Sequence, residues 1–193
     1  MGSRPERKRG VDPVTTEAAR PRWQPRPVGE SKTAITRRDL SLGGKVVDWN
    51  AYLSGFVDGE GCFCVSINRS RRHRFGWEIR PSFSASQNRD RSEVLEMLRA
   101  AFGCGTIRPD RSDKTLKYEV RSLQDLVQRV LPHFEEAPLL SGKQRDLEIF
   151  NEICRLMQQG QHRTQGGFTQ IVDLAFQMNP SGNRKYRRDE IKL

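Results

Sequence analysis

No stretch of the 193-residue sequence approaches the roughly 18 uninterrupted apolar residues that a membrane span needs, so a membrane protein is excluded. Cysteine is scarce. The four that occur, Cys62, Cys64, Cys104 and Cys154, stand in a chain without a charged-then-apolar amino-terminal leader. That argues against secretion and a disulfide scaffold, and reduced thiols are expected. Cys62 and Cys64 have no second close Cys or His pair to complete a zinc tetrahedron, which leaves packed or strand-surface thiols. A nucleotide loop is missing too, because Gly43-Gly44-Lys45 lacks the leading spacing of a P-loop. Acidic residues are in the minority, 24 against 34 basic, for a formal charge of +10. Such a balance favours a polyanionic partner and disfavours a generic soluble enzyme. At 35% hydrophobic the chain can still bury a core.

Residues 1 to 44 hold five of the ten prolines, ten basic and five acidic residues, and little apolar periodicity. This basic tail is expected to be disordered. A nonspecific nucleic-acid arm, leftover upstream coding sequence and a transit peptide all remain open for it, although its five acids weigh against the last. A single domain is expected over 45 to 179, followed by a charged, loose tail over 180 to 193.

Within the domain, residues 49 to 57 have helical spacing with Asp48 placed to cap them. Residues 62 to 69 and 75 to 86 alternate strictly and form a hairpin joined by the basic turn SRRHR. An amphipathic helix over 91 to 102 stops at Gly103 and Gly105. Two short strands near 105 to 109 and 116 to 121, joined by DRSDK, precede helices near 123 to 134, 142 to 158 and 167 to 178. This order predicts an α+β layer whose antiparallel sheet has one face uncovered. That face carries Ser66, Asn68, Arg69, Arg80, Ser82, Ser84, Ser86, Arg108, Lys117, Glu119 and Arg121, with Arg71, Arg72 and Arg74 in the hairpin turn. A solvated sheet face and a β-ribbon surface for base edges and phosphates both fit this pattern.

A sharper signal lies in LSGFVDGEG, residues 53 to 61. Gly55 and Gly59 are four apart, so one helix face lacks side chains and lets another backbone approach closely. Asp58 and Glu60 close the segment, either as an ordinary solvated turn or as carboxylates concentrated where a divalent cation makes them tolerable. An EF-hand is excluded, since the twelfth position from Asp58 is Arg69 rather than Glu.

The segment resembles the signature of the LAGLIDADG homing endonucleases. It keeps Leu53, Gly55, apolar Phe56 and Val57, Asp58 and Gly61, with an acid at position 60, and departs with Ser54, Gly59 and Glu60. The resemblance extends over the αββαββα order from about Trp49 to Gln177. It implies a Mg²⁺-dependent DNA endonuclease, with two or more divalent ions per dimer, that cuts a long near-palindromic target, leaves 3′ overhangs and promotes mobility of its host intron. Glu60 and the carbonyl of Gly59 are implied as metal ligands, with Asp58 secondary. Gln87 is implied to order solvent, Arg91 to meet phosphate charge, and Lys143 to fill a basic catalytic slot that a gapless count would give to Ser141.

With one motif per chain, the resemblance implies a homodimer on double-stranded DNA, with Leu53, Gly55, Phe56 and Gly59 at its interface. The compartment implied is intracellular, a bacterial cytoplasm or an organelle such as a mitochondrion or chloroplast. Two rivals remain: an RNA maturase that assists splicing of its host intron, and a basic DNA-binding protein without chemistry.

Overall fold

The structure, a computed structural model, describes residues 39–42, 45–110, 114–180 and 182–191. Of the tail expected over residues 1 to 44, residues 1 to 38, 43 and 44 lie outside these, as does the middle of the DRSDK turn. Asp48 starts the first long helix: its carboxylate accepts from the Ala51 amide at 3.1 Å, satisfying one of the free donors of the first turn. That helix, α1 (Trp49–Glu60), follows a hairpin of β1 (Asp39–Leu42) and β2 (Lys45–Asp48), paired from Asp39↔Asp48 to Leu42↔Lys45. The segment LSLGGKVVD is therefore a hairpin, and the boundary expected at residue 44 falls inside it.

After α1 come β3 (Gly61–Arg69) and β4 (Trp77–Asn88), then α2 (Glu93–Phe102), β5 (Thr106–Pro109) and β6 (Thr115–Val120). The helices α3 (Leu123–Asp125) and α4 (Leu131–Glu136) are joined by a π-helical turn over Leu126–Val130. Pro132, with no N–H to give the carbonyl of Gln128, accounts for that interruption. The chain ends in α5 (Lys143–Gln158) and α6 (Gln165–Gln177), with a short 3-10 turn at Arg188–Glu190.

Strands β3, β4, β6 and β5 form one antiparallel sheet in that order, so the expected α+β fold with its αββαββα order is the observed one. Among the described residues no helix is long and apolar enough to cross a membrane. The alternation was read correctly: Phe63, Val65 and Ile67 of β3 and Trp77, Ile79, Phe83 and Ala85 of β4 are all buried against the helices. Phe63 stacks on Phe83, Phe134 and Phe150 at centroid distances of 5.1, 5.5 and 5.4 Å, joining two strands to α4 and α5. Each such pair adds roughly 0.5–1.5 kcal/mol beyond area burial. Helix α2 starts at Glu93, after a 3-10 turn at Arg89–Arg91, and ends at Gly103, whose φ of 62° is the left-handed cap.

The carboxy-terminal segment is not loose. Strand β3 is a sheet edge with unpaired carbonyls, which sheets must cover or blunt. Asn179 Nδ2 donates to Phe63 O at 2.9 Å and Arg184 Nη1 to Val65 O at 3.2 Å, while the other Arg184 nitrogen meets Ala175 O. Ile191 is buried. The charge-rich composition concealed this role because two of its polar side chains bond to backbone that only the folded sheet exposes.

A buried polar pair ties α1 to α4. Ser54 Oγ donates to Ala137 O at 2.6 Å, so it accepts from His133 Nε2 at 3.1 Å, which fixes the proton of the neutral ring on Nε2. Burial holds His133 down at a pKa of about 4, below the ordinary 6.5, with the carboxylate of Asp48 acting in the opposite direction. A folded state that rejects this proton keeps its full stability above pH 6.5 and loses it as pH falls towards 4, by about 3 kcal/mol. Urea unfolding of wild type and His133→Gln at pH 7, 5.5 and 4 is expected to show that loss in wild type, and a variant whose stability is flatter over the same window.

Candidate active site and nucleic-acid interface

Helix α1 passes into β3 with no loop between Glu60 and Gly61. A Cβ on Gly61 would stand 2.5 Å from Val57 Cγ1 and 2.6 Å from Val57 O, so only glycine lets the chain turn there. The turn leaves Glu60 exposed at the end of the helix, and among the described residues it has no hydrogen-bond or ion-pair partner.

Asp58 behaves differently. Its carboxylate accepts from the amides of Leu140 at 3.1 Å and Ser141 at 3.0 Å and from the Ser141 hydroxyl at 2.5 Å. Burial pushes its pKa up, but the Ser141 hydroxyl, the two amides and the charge of Lys143 together outweigh this and hold it below the usual carboxylate value. Lys143 opens α5, and its ammonium donates to Val57 O at 3.0 Å, which also accepts the Gly61 amide, and to Gly59 O at 3.4 Å, both in the last turn of α1. The structure thus brings Lys143 to the motif, while Ser141 serves Asp58.

The outer face of α1 is bare. Among the described residues a Cβ on Gly55 or on Gly59 would meet nothing within 4 Å, and Tyr52, one turn earlier, is 48% exposed. Phe56 is half-buried at its margin. Leu53, expected on this face, is 3% exposed and packs in the chain's own core, since it lies about 100° around the helix from Tyr52.

Gln87 falls on the core-side parity of β4, two residues beyond the Gly61↔Ala85 pair, where the strand runs on past the helix exit. Its Oε1 accepts from the Asn88 amide at 2.8 Å, and its Nε2 has no hydrogen-bond partner among the described residues. Arg91 lies in the 3-10 turn before α2 rather than in the helix, highly exposed, with Asp90 at 3.9 Å.

The polar face of the sheet is braced by ions. Glu119 receives Arg108 at 3.1 Å and Arg121 at 3.0 Å. Burial raises its pKa, but the bonds from Arg121 and Arg108 prevail and lower it. Glu119 therefore acts as a brace for two arginines rather than as a contact of its own. Glu78 pairs with Arg80 at 2.8 Å in the same way. Ser66 Oγ is turned onto Arg80 O at 3.3 Å. Lys117 stands opposite both Ser86 and Arg108, and Asn68 opposite Glu78.

Ser82 is partly exposed, whereas Ser84 is 8% exposed, enclosed between its cross-strand partners Cys62 and Glu119. The free thiols Cys62 and Cys64 belong to this face and are nearest the helix exit, a position that their parity already signalled. Arg69 does not belong to it. It shares the parity of Phe63 and Ile67, pairs with Trp77 and stacks over that ring at 5.0 Å. In the hairpin turn Arg71, Arg72 and Arg74 are exposed, with Arg74 Nη1 reaching Arg163 O at 3.4 Å.

A family profile described as LAGLIDADG endonuclease matches residues 53–154, just over half of the chain. The chain belongs to the LAGLIDADG endonuclease family. Its LAGLIDADG segment is similar to that of "Probable intron-encoded endonuclease 2" of Neurospora crassa, 30% identical over 130 residues, 67% of this chain and 29% of that protein. The chain spans about a quarter of the length of the Podospora and Neurospora relatives it matches. In structure it is similar to the homing endonuclease I-TnaI, with a TM-score of 0.65 and 32% identity over 74% of this chain and 92% of that one. It is similar also to I-SmaMI, solved bound to an uncleaved DNA target in the presence of calcium ions, with a TM-score of 0.65 and 29% identity over 70% and 46% of the two chains.

If the LAGLIDADG sheet face meets phosphates, each lysine contact contributes about one unit to the slope of log affinity against log salt concentration. Lys117→Ala is expected to lower that slope by about 1 and to weaken binding to specific and unrelated duplexes alike, as titrated by fluorescence anisotropy from low to physiological salt.

Proposed function

We propose that the chain is a site-specific homing DNA endonuclease that acts as a homodimer on a long near-palindromic target, using divalent metal and promoting mobility of its host intron. The observation that carries this reading is the loopless exit of α1, where Glu60, without a partner among the described residues, closes a helix whose last turn receives the Lys143 ammonium and whose outer face carries Gly55 and Gly59. The coverage of 92% of I-TnaI but only 46% of I-SmaMI supports a chain that supplies one half of a two-fold site.

The donors fit a hard cation. Glu60 offers an unpartnered carboxylate, and the Gly59 carbonyl is only loosely held by Lys143, at 3.4 Å. Among the described residues no three His, Cys, Asp or Glu side chains converge, so DNA phosphate, water and the second copy would complete the shell. Magnesium held by Glu60 and Gly59 O would supply Lewis-acid stabilisation of charge on the attacking and leaving oxygens. The chain's own groups do the rest. Gln87, whose Nε2 has no partner among the described residues, would orient the attacking water. Lys143 brings a fixed positive charge to the scissile phosphate, and Arg91, exposed in its turn with only a long 3.9 Å pairing to Asp90 among the described residues, adds a forked donor as charge develops. Hydrolysis from two sites related by the dimer axis gives staggered breaks with 3′ overhangs.

Two experiments test this reading. DNA carrying the gene's own insertion site, with its intron removed, is expected to be cut on both strands in Mg²⁺ and left intact in EDTA. Glu60→Gln is expected to lose roughly a thousandfold in single-turnover rate, the several kcal/mol attributed to metal charge stabilisation. Tight binding in Ca²⁺ with no cutting in Mg²⁺ would sink the nuclease and favour a splicing cofactor or an inert binder. In sedimentation analysis the wild type is expected to be a dimer and Gly55→Leu a monomer, because a Cβ at 55 meets nothing within 4 Å among the described residues, whereas a partner's helix closing on this face would be hindered by the side chain.

A further inference from the structure

The two acids of the motif, two residues apart, have opposite surroundings. Glu60 has no partner among the described residues, whereas all the acceptor capacity visible on Asp58 is turned onto a loop 82 and 83 residues further along the chain. That loop is the entry to α5. Having given its proton to Asp58, the Ser141 hydroxyl accepts from the Lys143 amide at 3.1 Å, at the first turn of the helix. Lys143 then returns its ammonium to Val57 O at 3.0 Å and Gly59 O at 3.4 Å, on either side of Asp58 in sequence. The bonds close a circuit from Asp58 to Ser141 to Lys143 and back to the end of α1. Each link is within hydrogen-bonding distance, and no other side-chain acceptor within the described residues serves the Leu140 and Ser141 amides.

From this we infer that Asp58 is a positioning residue: it seats Lys143 against the motif helix through Ser141 and takes no part in holding a cation. The inference rests on the reading above that Lys143 works on the scissile phosphate. Physically, the other hydrogen bonds of this loop among the described residues, Leu139 N on Gln144 Oε1 at 3.2 Å and Gln144 N on Ser141 O at 3.1 Å, tie it to its own turn and to α5, so without Asp58 only the Lys143 ammonium hydrogen-bonds this corner to α1. An ammonium displaced by about 1 Å loses about 10²-fold in rate. Asp58→Asn is the informative substitution, because it keeps the shape but replaces one carboxylate oxygen by an NH₂, which cannot accept, so either the two amides or the Ser141 hydroxyl loses its acceptor.

A double-mutant cycle on single-turnover cleavage tests the inference, with DNA affinity measured alongside in Ca²⁺. Asp58→Asn is expected to cut about 10²-fold more slowly, with affinity and the Mg²⁺ concentration for half-maximal rate unchanged. Ser141→Ala should fall between it and wild type, and Ser141→Thr should restore the rate. The double variant Asp58→Asn/Lys143→Met is expected to be no slower than Lys143→Met alone, the signature of residues that act as one unit. Multiplying losses, or a raised Mg²⁺ requirement in Asp58→Asn, would overturn the inference while the nuclease stood.

A second readout uses neither metal nor DNA. Hydrogen exchange at the Leu140, Ser141 and Lys143 amides is expected to accelerate together in Asp58→Asn. Unchanged protection there overturns the inference even if the wild type cuts no DNA, in which case the nuclease reading falls on its own account.

Discussion

The close approach of Gly61 to Val57 is the constraint on which the rest of the site depends. A helix that needs even a short loop to reach its next strand would carry its last side chains to variable positions. Here the chain goes from helix to extended backbone in one step, because the space at residue 61 admits no Cβ. Glu60 is consequently fixed by the backbone on both sides, by α1 before it and by the β3 ladder after it, beginning at Gly61↔Ala85. The same step sets the register of Phe63, whose ring joins β4, α4 and α5. Core packing and placement of the acid are two results of one junction.

A second consequence concerns the polar face. Arginines on an exposed sheet are ordinarily long and mobile, and single surface ion pairs contribute little, about 0–1 kcal/mol. The value of Glu119 lies in geometry rather than stability: one partly buried carboxylate receives two guanidinium groups, from β5 and from the end of β6, and so limits where their remaining donors point. Glu78 does the same for Arg80. The strand at the edge of this face would otherwise offer free carbonyls to any passing chain. Asn179 and Arg184 occupy them from the carboxy-terminal segment, which holds the polar face next to a clean border.

What could be read in the sequence was whatever is periodic or local. Alternation gave the buried side of β3 and β4, and the nine residues 53 to 61 gave the helix exit, its glycines and its exposed acid. Arg69 was misplaced because its chemistry was allowed to override its parity; the odd-numbered position belongs with Phe63 and Ile67, and cation–π stacking on Trp77 accommodates the charge there. Leu53 was misplaced because motif membership says nothing of which way a helical residue faces. Pairings across the chain were beyond reach. Nothing near Ser54 announces His133, 79 residues on, and nothing near Asp58 announces Ser141, 83 residues on. Such contacts follow from how α4 and α5 pack on α1, a tertiary outcome that no local pattern encodes. The ambiguity between Lys143 and Ser141 had the same origin: both residues reach the motif, one with a charge and the other with a hydroxyl.

The two sides of α1 carry opposite chemistry, and the contrast constrains what the helix is for. Inward it offers Leu53, Ser54 and Val57, all buried, the serine tied to His133 and to Ala137 O. Outward it offers Tyr52, Gly55 and Gly59 with empty space above the glycines. Glycine in mid-helix costs about 0.5–1 kcal/mol relative to alanine, so a helix serving only its own core would have reason to avoid two of them on an exposed face. The cost is offset when another backbone comes close enough to use the space, and a second copy of this helix, related by a two-fold axis, would meet glycine with glycine. An axis along that face would also bring both copies of Glu60 to its end. On the proposed reading, then, what looks like a weakness in one chain is the condition for assembling the site from two.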